Sequence, residues 1–274
     1  MRYDTDRRDF AVTTRLQEIR PDDIRVLTVG SNILAHYQHQ MSKAVWRPAP
    51  GRKLGFLVTQ DDTLLGLIFL ASPVVRLSVR DAFLGITENF GIALRHYMDM
   101  SVCVSTQPLG WHWNLGKLMA LIAPTLGDYI TARYPLDEFR GVTTTSLWGR
   151  GTQYNRIYKY LGMTKGFGHE HVSDTEYKMM VEYLRSRTIF GGKLPSCSFS
   201  AGSNPRMRRI AEYRKVTCDS SVTLEHGVLR GVYYHAAVPP DLRRRVIREW
   251  YERWGRPRYE RTKDRQPPYQ NGIA

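Results

Sequence analysis

Met100-Ser101-Val102-Cys103-Val104-Ser105 leads through Gln107-Pro108-Leu109-Gly110 into Leu115-Gly116-Lys117-Leu118-Met119-Ala120-Leu121-Ile122. The first six residues are small, β-branched or apolar, the composition of a buried strand. Proline and glycine then break the run into a turn. From Leu115 onward Leu118, Leu121, Ile122, Leu126 and Ile130 recur at helical spacing as far as Arg133. Pro124 lacks the N–H a helix interior needs, so it kinks or splits that helix. A buried strand, a turn and a long helix in succession predict a mixed α/β chain.

Working outward, Leu54–Thr59 and Leu64–Leu70 flank Gln60-Asp61-Asp62-Thr63 and read as an antiparallel hairpin. Further upstream, Ile24, Leu27, Ile33, Leu34 and Tyr37 fall at roughly helical spacing behind Pro21 and Asp22, which predicts a helix ended by Pro48, Pro50 and Gly51. Residues 1–20 read as an arm. Downstream, Gly141–Ser146 is a strand candidate. The loop Leu147–Gly151 then leads to an expected short helix over Tyr154–Leu161, stopped by Gly162. Met163–His171 reads as a strand and Thr175–Arg187 as a helix. Phe190–Arg209, rich in Gly, Ser and Pro, reads as a linker. Ser221–Leu224 and Leu229–His235 form a second strand pair, and a helix starting at Pro239-Pro240-Asp241 carries Leu242, Val246, Ile247, Trp250 and Trp254 on one face. The tail from Arg256 reads as extended. The expected organisation is an N-terminal arm and helix (1–52), a core (53–189) and a basic C-terminal extension (190–274) packed on that core. The fold class is α/β (α+β), a mixed, mostly antiparallel sheet flanked by helices.

The 274 residues carry 40 Lys+Arg against 26 Asp+Glu, a formal charge of +14, and 42% are hydrophobic. That balance describes a folded protein with a polyanionic partner rather than a disordered chain. No apolar run approaches the ~20 residues of a membrane span. The charged start MRYDTDRRDF is unlike an export signal, so a cytoplasmic location is expected. Cys103, Cys197 and Cys218 are too few and too scattered for a disulfide framework or a zinc pair, and read as buried thiols.

The order of elements from Leu54 to His171 resembles the GNAT acyltransferase fold. In that family one strand splays from its neighbour, acyl-CoA lies in the gap, and the following helix start holds the pyrophosphate. The resemblance implies acetyl-CoA as cofactor, with Gly110, Asn114, Gly116 and Lys117 as its binding residues. The segment from Thr145 to Gly162, with its glycine-bearing loop and Ile157-Tyr158, resembles the phage Mom-like DNA-modification proteins, a divergent GNAT branch. Ala71-Ser72-Pro73, Arg80-Asp81 and Gly85 fit the same resemblance and are also similar to the DruA-like domain of bacterial anti-phage systems. The Mom resemblance implies transfer of an acetyl-CoA-derived group to the exocyclic amine of adenine in DNA, blocking restriction. It places Tyr158 beside the CoA sulfur, with Asp81 and Ser146 as further catalytic candidates and His112 as another polar group near the cleft. Each has a structural alternative: Tyr158 packs in a core, Asp81 pairs with Arg80 or caps a turn, Ser146 satisfies backbone. The DruA resemblance implies instead a nucleic-acid-binding defence component without acyl transfer.

Double-stranded DNA is the expected partner. Arginine, favoured for phosphate recognition, dominates the C-terminal third, and the candidate contacts are Arg150, Arg156, Arg243, Arg244, Arg248, Arg258 and Arg261. Trp111, Trp113, Trp148 and Tyr154 are candidates to stack on an extruded base. His169 and His171 would face the same side of a strand as metal candidates, against the alternative of a polar surface strand.

Overall fold

In the computed structural model the described residues are 9–13, 15–42, 51–135, 138–147, 149–150, 152–165, 172–189, 205–218 and 229–267. The hairpin forms as its sequence predicts. β2 (Lys53–Gln60) and β3 (Thr63–Ala71) pair antiparallel around the Asp61-Asp62 turn, and almost every residue of both is buried. β3 pairs antiparallel with β4 (Tyr97–Ser105), the buried strand of the opening motif. On the other side of β2 lies β1 (Ile24–Val29), antiparallel in register from Ile24↔Gln60 to Val29↔Gly55.

β1 corrects the expected helix after Pro21. Pro21–Asp23 is a single 3-10 turn, and the α-helix begins only at α1 (Ser31–Met41). Ile24 and Leu27 imitate helical spacing, but Val26, Thr28 and Val29 are β-branched and fit a pleated surface better than a helix.

The sheet has seven strands in the order β1-β2-β3-β4-β5-β7-β6, where β5 is Gly141–Ser146, β6 Lys159–Met163 and β7 Gly231–Ala236. Among these seven strands only the neighbours β4 and β5 run parallel. Their pairing stops after Asp99↔Thr143, and beyond that point the two strands part. β7 inserts between β5 and β6, antiparallel to both, so the sheet is continuous across the boundary expected at 189/190. The expected partner strand Ser221–Leu224 lies outside the described residues.

Two apolar layers cover the sheet. On one face α1 closes a cluster of Val29, Leu34, Tyr37, Leu57, Leu67 and Phe69. On the same side α2 (Ser78–Leu84) sits over β6 and β7, with Val79 against Gly162 and Phe83 5.3 Å from the Tyr234 ring, and the one-turn α3 (Phe90–Ala93) follows before β4. The other face carries the larger core, formed with α4 (Leu109–Trp113), α5 (Leu115–Ile122) and α6 (Gly127–Arg133). The long helix predicted over this stretch is split at Pro124 by the 3-10 turn Ala123–Thr125.

The C-terminal helices join this second layer. A 3-10 turn, Pro240–Leu242, opens into α9 (Arg243–Trp250), a π-helical turn over Tyr251–Gly255, and α10 (Arg256–Thr262). The stretch expected to be extended from Arg256 is therefore helical as far as Thr262. Trp250 and Ile247 are buried in the core, while Trp113 stacks on Tyr259 with ring centroids 4.1 Å apart. α7 (Asp174–Ile189) and α8 (Pro205–Thr217) pack on each other through Val172, Met180 and Ile210. α8 begins inside the expected linker. Among the described thiols Cys103 is partly buried and Cys218 is exposed, not buried as expected.

Candidate nucleic-acid interface

Tyr154–Leu161 is not a helix. Backbone bonds from Asn155 to Thr152, from Ile157 to Tyr154 and from Tyr158 to Tyr154 make a compact turn, after which the chain enters β6. This turn lies against the gap where β4 and β5 part. The Gln153 side-chain amide donates to the Cys103 carbonyl (3.1 Å), and the Thr144 hydroxyl donates to the Met100 carbonyl (2.8 Å). Tyr154 is buried beside Cys103, and burial pushes the Cys103 thiol up to about 12.

Lys117 fastens the turn to α5. Its ammonium donates to the carbonyls of Gln153 (3.0 Å) and Asn155 (2.6 Å) and lies 5.5 Å from the centre of the Trp254 ring. The Arg253 guanidinium lies over the same ring at 4.6 Å. Burial, then the nearby charges of Arg156 and Arg253, lower Lys117 to about 8. Arg150, on the same loop, rests 4.5 Å over Tyr160. Lys117, Arg150, Arg156 and Arg253 form no ion pair among the described residues. Positive charges held near one another without a carboxylate, beside an aromatic ring, are disposed to receive an anion.

The turn does not fit the pyrophosphate of a CoA. A Cβ on Gly116 would strike the Gln153 amide oxygen, so the chain itself fills the space a phosphate would take. Gly110 is buried against Ser105 and Gln107, and Asn114 is the left-handed joint between α4 and α5, its carbonyl accepting from Trp250 Nε1 (3.3 Å).

The three catalytic candidates lie apart. Tyr158 is buried, and its hydroxyl donates to the Ala120 carbonyl at 3.0 Å. That carbonyl would ordinarily accept from residue 124 of the helix, but residue 124 is proline, so the tyrosine supplies the missing donor. Asp81 lies on the opposite face of the sheet. It accepts from the buried Arg80 at 2.8 and 2.6 Å and from the Leu77 N–H at 2.7 Å, both its pairing and its capping alternatives at once. Ser146 is buried at the end of β5, opposite Gly231.

Near Arg80 stands a carboxyl that sequence reasoning missed. Asp99 accepts from the Thr143 hydroxyl (3.1 Å) at the last pair before β4 and β5 part. Burial raises it to about 6, against the opposing influences of Thr143, Arg80 and Arg230. Its signal was present: an acid set between Met98 and Met100 in an apolar strand.

Several expected DNA contacts are occupied by the fold. Arg243 bonds to the Thr125 hydroxyl and carbonyl and pairs with Asp128, Arg248 pairs with Asp22, and Arg258 donates to the Trp111 carbonyl beneath that ring. Arg244 and Arg261 are exposed. Trp113 and Tyr154 are buried in the core and His112 is buried against Thr262, whereas Trp148 lies outside the described residues. His169 and His171 also lie outside them. Among the described residues no three His, Cys, Asp or Glu side chains are arranged to hold a metal ion, and no helix is long and apolar enough to cross a membrane.

A family model described as Druantia protein DruA matches residues 11–243, from the segment paired beside Thr63 to the first residue of α9. The Druantia protein DruA of Escherichia coli (strain UMEA 4076-1) is 29% identical over 206 residues, covering 67% of this chain and 50% of that protein. The chain thus spans about half the length of the curated relative it matches. Of the two resemblances, the findings support DruA, and nothing in them supports a Mom-like acyltransferase. With most of its length inside that family model, the chain belongs to the Druantia DruA family.

Proposed function

We propose that this chain is a nucleic-acid-contacting component of an anti-phage defence system and that it grips a DNA backbone at Lys117, Arg150, Arg156 and Arg253. The observation that carries this reading is the placing of Lys117 and Arg253 on Trp254 with Arg156 nearby, none of the three in an ion pair among the described residues. Bound phosphate would relieve their mutual repulsion, and Trp254 offers a flat surface to a base or sugar at the edge of the site.

Charge reversal tests it. A variant carrying Arg156→Glu and Arg253→Glu changes two exposed side chains and should keep the fold. Duplex DNA binding should weaken at least tenfold, and the dependence of log affinity on log salt should flatten by about two units. Wild-type affinity in that variant would refute the site. Acyl transfer remains the second reading, favoured by the parting of β4 and β5. It requires the Gln153 turn to leave that gap, and acetyl-CoA calorimetry on the whole chain separates the two readings.

A further inference from the structure

A cavity of about 550 Å³ opens at the end of the sheet where β2 enters and β3 leaves. Its walls include Arg52, Ser72, Pro73, Arg95, Arg133 and Tyr134. Among the described residues that line it, three are arginines and none is acidic.

The arginines are not equivalent. Arg52 is built into the wall: its guanidinium donates to the carbonyls of Arg95 (2.6 Å), Leu94 (3.0 Å) and Tyr97 (2.9 Å). Arg95 and Arg133 are exposed and form no ion pair among the described residues. Tyr134 is held in place by its hydroxyl, which receives the Lys53 N–H at 2.9 Å and reaches the Lys53 carbonyl at 3.3 Å. The Arg52 and Arg133 guanidinium groups lie 5.9 and 5.6 Å from the centre of that ring. A fixed aromatic ring with a wall-bound arginine behind it and two exposed arginines at the mouth suits a ligand that has both a flat apolar part and a negative charge. The volume is of the size that small-molecule sites have, roughly 300–1,000 Å³.

We propose that this cavity binds a nucleotide monophosphate group, with the phosphate on Arg95 and Arg133 and the base against Tyr134. The same chemistry is offered by a free mononucleotide and by the 5′-phosphorylated end of a DNA strand. The site is separate from the Lys117 cluster and does not depend on it.

Calorimetry at low salt tests this on the whole chain with five probes: AMP, adenosine, inorganic phosphate, and a short oligonucleotide with or without a 5′-phosphate. Binding of AMP at least tenfold tighter than either adenosine or phosphate supports the site with a free nucleotide as ligand. Binding of the 5′-phosphorylated oligonucleotide at least tenfold tighter than its 5′-hydroxyl counterpart, with AMP silent, supports the site with a strand end. In either case Arg95→Glu and Arg133→Glu should each reduce the affinity at least tenfold. No phosphate-dependent binding of either AMP or the oligonucleotide, binding indifferent to the two arginine variants, or AMP that binds but no tighter than inorganic phosphate overturns the proposal. Circular dichroism of both variants confirms that any loss is not unfolding.

Discussion

Neutralising Lys117 offers a test that salt titration alone does not, because this side chain is poised to change charge near neutral pH. Lowered to about 8 by burial and by Arg156 and Arg253, it is roughly nine-tenths charged at pH 7 and about one-tenth charged at pH 9. A phosphate beside it favours the ammonium and would return it toward its ordinary value of 10.5. Binding near pH 9 should then take up close to one proton per complex, and affinity for duplex DNA should fall about tenfold between pH 7 and pH 9. Calorimetry in buffers of differing ionisation enthalpy reads the proton directly. Lys117→Gln, which keeps a donor for the Gln153 and Asn155 carbonyls, should abolish the proton uptake and flatten the pH profile. The sign for the free protein is opposite to that of a paired lysine. The unfolded chain holds this proton to higher pH, so the Lys117 contribution to stability grows as pH rises from about 8 to 10.5. A flat affinity between pH 7 and 9, or equal proton uptake in the glutamine variant, refutes the placement of a phosphate at Lys117.

Tyr158→Phe should cost about 0.5–1.5 kcal/mol, because the Ala120 carbonyl loses a donor that Pro124 cannot replace, and thermal unfolding reads the loss. DNA binding should be unaffected. Asp81→Ala leaves Arg80 charged and buried, so a loss of about 3–5 kcal/mol is expected in denaturant titrations, whether or not a reaction takes place nearby. Asp99, raised from 3.8 to about 6, stabilises the fold at low pH and loses that contribution as pH climbs through 6. Asp99→Asn should raise the melting temperature at pH 7 and remove that pH dependence, while an unchanged profile between pH 4 and 7 would assign it to other groups.

The parts of the fold legible in the sequence are those whose burial is local. The β2–β3 hairpin and β5 announce themselves through apolar runs and turn residues, and Pro124 marks the helix split at its own position. β1 misleads because a strand at a sheet edge buries only part of its surface, so Ile24 and Leu27 echo a helical stripe. The turn at Tyr154 misleads for a related reason. Tyr154 and Tyr158 stand one helical turn apart, yet each is held by tertiary contacts, one in the strand gap and one on the Ala120 carbonyl. At the candidate site, Lys117, Arg150 and Arg156 were legible as cations near a strand-to-helix connection. Arg253 belongs to the arginine-rich C-terminal third that the sequence marks for nucleic acid, but its meeting with Lys117 at Trp254 is not legible, because only the path of α9 through the π turn brings Arg253 and Trp254 back onto α5.

β7 is made after β5 and β6 yet lies between them. A growing chain that has not reached Gly231 presents two open strand edges that have no native partner, the condition under which neighbouring molecules pair by mistake. Completion of this sheet therefore waits on synthesis of residues 231–236, and the chain depends until then on shielding from its surroundings. A C-terminal deletion designed to remove only basic residues must begin beyond Thr262, since a cut before Gly231 takes out the central member of the β5-β7-β6 group and leaves a half-zipped sheet, and one between them strips Trp250 from the core or Tyr259 from its stack on Trp113.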